Sequence, residues 1–97
     1  MNYKVKLVAD AKNDFAEAHM YYFKISPKVA LKFKDEVKSA IEHLEKNPFY
    51  ELRTRNFRAI PLKKFAYFIF YEVNENLKEV KIVAIFNTNR DTEKYPR

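Results

Sequence analysis

The sequence predicts an α+β domain in which two helices pack on one face of an antiparallel sheet, in the order β-α-α-β-β-β. Apolar residues recur at helical spacing between residues 11 and 44, and strand-forming residues dominate from residue 56 to residue 86. Asn, Asp and Pro mark the boundaries between these segments. The length of 97 residues fits one core, so we expect a single domain spanning residues 1–97.

The N-terminal segment alternates apolar and charged residues, because Tyr3, Val5 and Leu7 are separated by Lys4 and Lys6. A period of two is typical of a strand with one buried face and one charged face. We therefore predict a short opening strand.

Two helices follow, and polar residues are placed to define their ends. Asp10 is predicted to cap the first helix, Ser26 to cap the second and Pro27 to occupy its first turn. Asn47 and Pro48 end the second helix. The apolar stripe of the second helix consists of Ala30, Phe33, Val37, Ala40, Ile41 and Leu44.

Three strands are predicted in the second half of the chain. Residues 56–62 form a strand that Pro61 places at an edge or a strand end. Residues 65–73 form an aromatic strand, and residues 79–86 form the last one. The turn at residues 74–76 uses Asn where Gly is usual.

The aromatic strand at residues 65–73 is apolar at both its odd and its even positions. Such a strand needs cover on both faces of the sheet. Two helices can cover only one face of a small sheet. The other face therefore requires a partner chain, the C-terminal tail or a tolerated exposed apolar patch.

The positive charge is concentrated in residues 52–71, which contain no Asp or Glu. The cations of this segment are Arg53, Arg55, Arg58, Lys63 and Lys64. In the rest of the chain the numbers of basic and acidic residues are nearly equal, and the formal net charge of the whole chain is +6. A concentrated basic segment indicates a surface for an anionic partner, the alternative being a solvated face without a function.

The composition excludes several classes of protein. The chain has no Gly and no Cys, which disfavours phosphate-binding loops, nucleophile elbows, disulfides and zinc knuckles. His19 and His43 lie on separate predicted helices, so we expect no metal site and no other cofactor. The sequence lacks a membrane-spanning run and a signal-peptide core, and we therefore expect a cytoplasmic protein with no membrane contact.

Five sequence segments occur in a characteristic order. The first helix ends in MYYFKISP, and Asn47-Pro48 closes the second. The basic segment FRAIPLKKF, the strand YFIFYEV and the closing segment VKIVAIFNTNRD follow. In this order the segments resemble the RelE/ParE toxins of bacterial type II toxin–antitoxin systems, a group that includes plasmid stabilisation proteins. The resemblance covers nearly the whole chain.

The resemblance implies a small basic toxin that an acidic antitoxin neutralises by wrapping it with a helix and an extended segment. A dimer or a heterotetramer with the antitoxin would be the expected assembly. ParE-like members inhibit DNA gyrase, and RelE-like members cleave messenger RNA on the ribosome without a metal. The partner would supply cover for the second sheet face.

The resemblance also assigns candidate roles to single residues. RelE-like members place an Arg at the position of Phe68 and often a His at the position of Asn87, so the ribonuclease set is incomplete. Arg90 and Tyr95 remain as candidates for a catalytic cation and acid. Arg90 also joins the basic segment as a candidate target-binding residue.

We therefore predict a ParE-like toxin that inhibits gyrase or a similar nucleic-acid machine. The alternatives are a RelE-like ribonuclease and a non-toxic remnant that acts only with its antitoxin in operon repression. Phe68 and Phe70 are predicted to contact the antitoxin or to form the sheet core beneath it.

Overall fold

The protein folds as two helices packed on a five-stranded sheet, in a computed structural model that describes residues 2–49, 52–54 and 57–88. The elements are β1 (Lys4–Leu7), α1 (Ala9–Ile25), α2 (Pro27–Lys46), β2 (Leu52–Thr54), β3 (Phe57–Pro61), β4 (Tyr67–Asn74) and β5 (Glu79–Asn87). The predicted α+β class and the helix hairpin are confirmed. The short strand β2 was not predicted.

The sheet has the strand order β1-β5-β4-β3-β2, and one of its pairings differs from the predicted antiparallel arrangement. β1 runs parallel to β5, with Lys4 opposite Glu79 and Leu7 opposite Ile82, so the sheet is mixed. A parallel pair needs a long crossover, and the helix hairpin and the later strands provide it. Lys6 and Glu79 form a salt bridge of 3.0 Å across this pair.

The helix ends follow the sequence signals with one correction. α1 begins at Ala9 with Val8 in the N-cap position, so Asp10 lies in the first turn and does not cap the helix. An acidic side chain there is still favoured by the positive end of the helix dipole. Ser26 separates the two helices and Pro27 begins α2, as predicted, although the Ser26 side chain makes no capping bond.

In the turn between β4 and β5, the left-handed backbone conformation is adopted by a lysine and not by the predicted Asn. Lys78 has a φ of 54°, in the left-handed region. The Asn74 side chain instead accepts a hydrogen bond of 3.1 Å from the backbone N–H of Leu77. Asn therefore stabilises the turn by side-chain bonding, a role that Asn and Asp commonly take.

The larger core lies between the helices and the sheet, and Phe33 of α2 is at its centre. Its fully buried ring lies 5.2 Å from the ring centroids of Tyr22 and Phe65, 5.3 Å from that of Tyr67 and 5.7 Å from that of Phe15. Edge-to-face and offset ring contacts add to the stabilisation that burial provides. Aromatic residues from both helices and the sheet thus meet at one point.

A second, smaller apolar cluster lies on the opposite face of the sheet, as the two-faced pattern of β4 predicted. Its buried members are Ala59, Phe70 and Phe86, with Phe57, Phe68, Val83 and Ala84 partly buried against them. A register shift between Phe70 and Tyr71 places a bulge in the pairing of β4 with β5. The helices do not reach this face.

Neither helix in the described part of the chain is long and apolar enough to cross a bilayer.

Candidate partner-binding and target-binding surfaces

The structure separates the described residues of the basic segment into two places. Arg58 lies in β3, whereas Lys63 and Lys64 lie in the loop that follows it. The described cations therefore lie in two elements, β3 and its loop.

The first site is built where the chain leaves α2. The buried Tyr71 hydroxyl donates a hydrogen bond of 2.7 Å to the carbonyl oxygen of Pro48, which fixes the segment after the helix. The next residue, Phe49, places its ring beneath the Arg58 guanidinium, 5.4 Å from the ring centroid. A guanidinium over an aromatic face is held in a defined orientation by cation–π attraction.

The second site is the loop that carries Lys63 and Lys64. The backbone N–H groups of both residues donate to one carboxylate oxygen of Glu36 in α2, at 2.9 Å and 3.1 Å. Both lysine side chains are exposed. Glu36 therefore holds this loop against α2, a role that the sequence could not indicate, since the partners are 27 and 28 residues apart.

A groove of about 550 Å³ lies between α2 and this loop. Its lining includes Asp35, Glu36, Ser39 and His43 of α2, and Ile60, Pro61, Leu62, Lys63 and Lys64. Both signs of charge are present at its edges. No group of three or more metal-ligating side chains was found among the residues that the structure describes.

The remaining predicted site residues lie outside the described side chains. Arg53 lies in β2, but its side chain is outside the described part of the structure, as are Arg55, Arg90 and Tyr95. Their roles in binding or catalysis stay predictions.

The two predicted antitoxin contacts differ in accessibility. Phe70 is fully buried in the second-face cluster, with its ring 6.4 Å from that of Phe86. Phe68 is half-buried, with its ring 6.2 Å from that of Phe70. Phe70 therefore takes the core role of the two roles predicted for it. Contact between Phe68 and a partner stays a prediction.

Phe68 packs against the apolar cluster of the second face. Phe68 pairs with Phe86 across the strands, and Asn87, half-buried, pairs with Tyr67 at the end of β5. Phe68 and Phe86 have no proton-exchanging group, and the Asn87 amide is neither an acid nor a base.

A second groove, of about 580 Å³, was not predicted and lies between α1 and the end of β5. On α1 its lining residues are Asp14, Glu17, Ala18, Tyr21, Tyr22 and Ile25. Asp14 accepts a hydrogen bond of 3.0 Å from the backbone N–H of Ile85, which ties α1 to β5. Burial is the largest cause that raises the pKa of the Tyr22 phenol above its ordinary value. Electrostatic interactions with Tyr67 and Tyr21 raise this pKa further.

Solved structures with the same architecture come from toxin–antitoxin systems. The chromosomal ParDE system of P. aeruginosa matches with a TM-score of 0.76 at 20% identity, over 90% of this chain and 97% of that one. The intact E. coli RelBE complex matches with a TM-score of 0.68 at 15% identity, over 91% and 99%. A RelBE-type complex from Mycobacterium tuberculosis matches with a TM-score of 0.61 at 16% identity, over 90% and 99%. At these identities the likeness establishes the fold.

The sequence itself carries the family assignment. No curated protein matches the chain by sequence. The profile described as the ParE toxin of type II toxin–antitoxin systems, parDE, matches residues 5–92, from β1 to beyond β5. This chain therefore belongs to the ParE toxin family of type II toxin–antitoxin systems.

Proposed function

We propose that this toxin inhibits DNA gyrase or a similar nucleic-acid machine and that a cognate acidic antitoxin neutralises it. The observation that carries the choice of target class is the apolar cluster around Phe68 on the second face. It favours inhibition by binding over ribonuclease chemistry.

Metal-free cleavage of RNA needs a base for the 2′-hydroxyl proton, cations for the phosphorane and an acid for the leaving oxygen. Among the described residues of the second face, Phe68, Phe70 and Phe86 can supply none of these. The loss of one well-placed charge stabiliser costs about 100- to 1,000-fold in rate. Arg90 and Tyr95 are the predicted catalytic candidates that remain.

An antitoxin partner fits both the solved neighbours and the charge of the chain. The E. coli RelBE structure is a toxin–antitoxin complex, and this chain carries a formal net charge of +6. Arg58 over Phe49 and the exposed Lys63 and Lys64 present cations to an acidic partner. Complementary charges raise the rate of association and make it dependent on salt.

Expression of the chain alone, followed by two assays on the purified protein, tests the proposed target. We expect growth arrest, loss of gyrase supercoiling activity, and no codon-specific breaks by primer extension on translating ribosomes. Codon-specific breaks that vanish in Arg90→Ala or Tyr95→Phe would assign the RelE-like ribonuclease activity instead. Normal growth with intact supercoiling and intact messenger RNA would leave only the operon-repression role with the antitoxin.

A further inference from the structure

Two aromatic rings and two cations meet where the chain leaves α2. The rings of Tyr3 and Phe49 pack edge to face, with their centroids 5.8 Å apart. The Arg58 guanidinium lies over the Phe49 ring, 5.4 Å from its centroid, and the Lys78 ammonium lies over the Tyr3 ring at 5.3 Å. We call these four residues the ring platform. They come from four separate parts of the chain, and the fold brings them together.

Backbone hydrogen bonds hold the ring platform in a defined geometry. The Tyr3 N–H donates to the carbonyl oxygen of Glu45 at 2.7 Å, and the Lys4 N–H donates to the carbonyl oxygen of Lys78 at 2.9 Å. Tyr3 is buried, whereas Phe49 is 46% exposed in spite of its contacts with Tyr3 and Arg58. The platform therefore presents one exposed ring on a preformed base, and a preformed site loses less conformational entropy when it binds.

Lys78 occupies a backbone position that suits other residues better. Its φ of 54° lies in the left-handed region, which Gly and Asn adopt more readily than a lysine does. Conformations of this kind persist where the surrounding structure enforces them, and they cluster at binding sites. The lysine adds nothing to the turn that Gly or Asn would not, but its ammonium reaches the Tyr3 ring. This position is therefore occupied for its charge.

Among the described residues, the charges around the ring platform are predominantly positive. Glu79, which adjoins the platform lysine, is paired with Lys6 in a salt bridge of 3.0 Å. Glu45 is followed by Lys46 in the last turn of α2. Glu75 of the β4–β5 turn lines a separate cavity that no platform residue lines. The two platform cations are thus left to attract an anionic ligand.

We propose that the ring platform binds single-stranded DNA. An unpaired base stacks on the exposed ring of Phe49, and Arg58 and Lys78 contact the phosphates on either side. Every base has a flat aromatic face, so such stacking tolerates any sequence, and neighbouring cations hold the backbone. The proposal deepens the proposed function and rests on it for the choice of DNA, on which gyrase acts.

Other occupants account for fewer features of the ring platform. An acidic protein segment would use the two cations but has no need of the exposed ring between them. Duplex DNA hides the faces of its bases, so it would contact the cations through its phosphates alone. A second copy of this chain would bring Arg58 and Lys78 of both copies together, and like charges oppose that contact.

Fluorescence anisotropy with two labelled oligonucleotides of equal length tests the stacking. One is oligothymidylate, and the other is abasic, so that it carries the same phosphates without bases. The wild-type toxin should bind oligothymidylate at least about 5-fold more tightly. Phe49→Leu keeps an apolar side chain but removes the ring, and it should abolish this preference. Phe23→Leu, which removes a ring that is 50% exposed on α1, is the matched control and should keep it.

Lys78→Asn tests the phosphate contact. Asn suits the left-handed backbone, so the variant should fold at least as well as wild type, which urea denaturation checks. The logarithm of the binding constant falls with the logarithm of the salt concentration, and losing one phosphate contact should make this slope shallower by about 0.7. Lys28→Asn removes a lysine from α2 and should leave the slope unchanged.

The proposal is overturned if the wild type binds neither oligonucleotide or binds both equally, or if Phe49→Leu and Lys78→Asn behave as wild type does. Tighter binding of oligouridylate would assign the platform to RNA, and tighter binding of polyglutamate would assign it to an acidic protein. Either result also overturns it. Gyrase supercoiling is assayed separately: inhibition without binding of oligothymidylate removes this site alone, and binding without inhibition removes the proposed function alone.

Discussion

The two faces of the sheet differ in how they are covered, because the helices pack on only one of them. On the helix face, α1 and α2 bury side chains from four strands in one continuous cluster centred on Phe33. On the second face the described buried residues are Ala59, Phe70 and Phe86, and four more apolar residues remain partly exposed. The chain completes the first core with its own helices and builds only a small second one.

This difference concentrates the stability of the fold on the helix face. Fully burying a large apolar side chain contributes roughly 1.5–3 kcal/mol, so the helix face carries most of the folding energy. The partly buried residues of the second face and the exposed apolar residues at the end of α1 contribute less to folding.

The largest effect is expected from Phe33→Ala. Phe33 is fully buried and its ring contacts four other aromatic rings across three elements. Truncation should lower the free energy of unfolding by about 3–5 kcal/mol, because the surrounding rings cannot all move into the cavity. Urea denaturation followed by circular dichroism measures it. A loss below about 1.5 kcal/mol would mean that the helix face does not dominate stability.

A matched pair of substitutions on the second face sharpens the comparison. Phe70→Ala should lower the free energy of unfolding by about 3 kcal/mol, since Phe70 is fully buried but has fewer buried neighbours than Phe33. Phe68→Ala should cost about 1 kcal/mol, since Phe68 is already half-exposed. If the two variants lose equal free energy of unfolding in the same urea titration, Phe70 is not more important than Phe68 for packing on this face.

Tyr71→Phe tests the junction beneath the first basic site. Tyr71 is fully buried, and its hydroxyl donates to the Pro48 carbonyl oxygen at 2.7 Å. Removing the hydroxyl leaves a buried acceptor without this donor and should cost about 1–3 kcal/mol. The same titration measures the loss, and phenylalanine fills the space, so packing is otherwise kept. An unchanged midpoint would show that this bond does not hold the segment after α2.

The local signals in the sequence were sufficient for the helices and for the two-faced character of the sheet. Helical spacing and the Ser26-Pro27 pair located α1 and α2, and the apolar alternation of β4 required cover on both faces. Both patterns depend on neighbours in the chain. The Val8 cap was missed because its side chain makes no hydrogen bond that a sequence motif could reveal.

These local patterns did not predict contacts between residues that are far apart in the sequence. The parallel pairing of β1 with β5 joins residues more than 70 positions apart, and alternation does not reveal strand direction. The Glu36 bonds to the loop after β3 are likewise long-range. The sequence also left open which of Tyr21, Tyr22 and Phe23 pack against α2 and which are exposed, and the exposed fractions of Tyr21 and Phe23 answer this.

Glu36→Ala should have a smaller effect on stability than the core substitutions. It removes the acceptor for the N–H groups of Lys63 and Lys64, both in an exposed loop that water can reach. The expected loss is about 1 kcal/mol, together with faster amide exchange at these two residues. Glu36→Gln, which keeps a carbonyl oxygen, should restore most of the protection. Exchange rates that remain at the wild-type values in Glu36→Ala would show that the loop is held by other contacts.

The smallest effect is expected at high pH, from Tyr22 at the edge of the helix face. Burial, with Tyr67 and Tyr21, raises the pKa of this phenol above the ordinary value of 10.0, so folding favours its neutral form. The resulting stabilisation is fully present below pH 10.0 and is lost as the pH rises through the raised pKa. Tyr22→Phe has no phenol to ionise, so its free energy of unfolding should fall less steeply than that of wild type above that pH. Tyr3→Phe, which keeps the Tyr22, Tyr67 and Tyr21 phenols, is the control and should retain the steeper fall. Urea titrations at a series of pH values give the difference, and parallel curves for wild type and Tyr22→Phe would place Tyr22 in open solvent and remove it from the helix-face core.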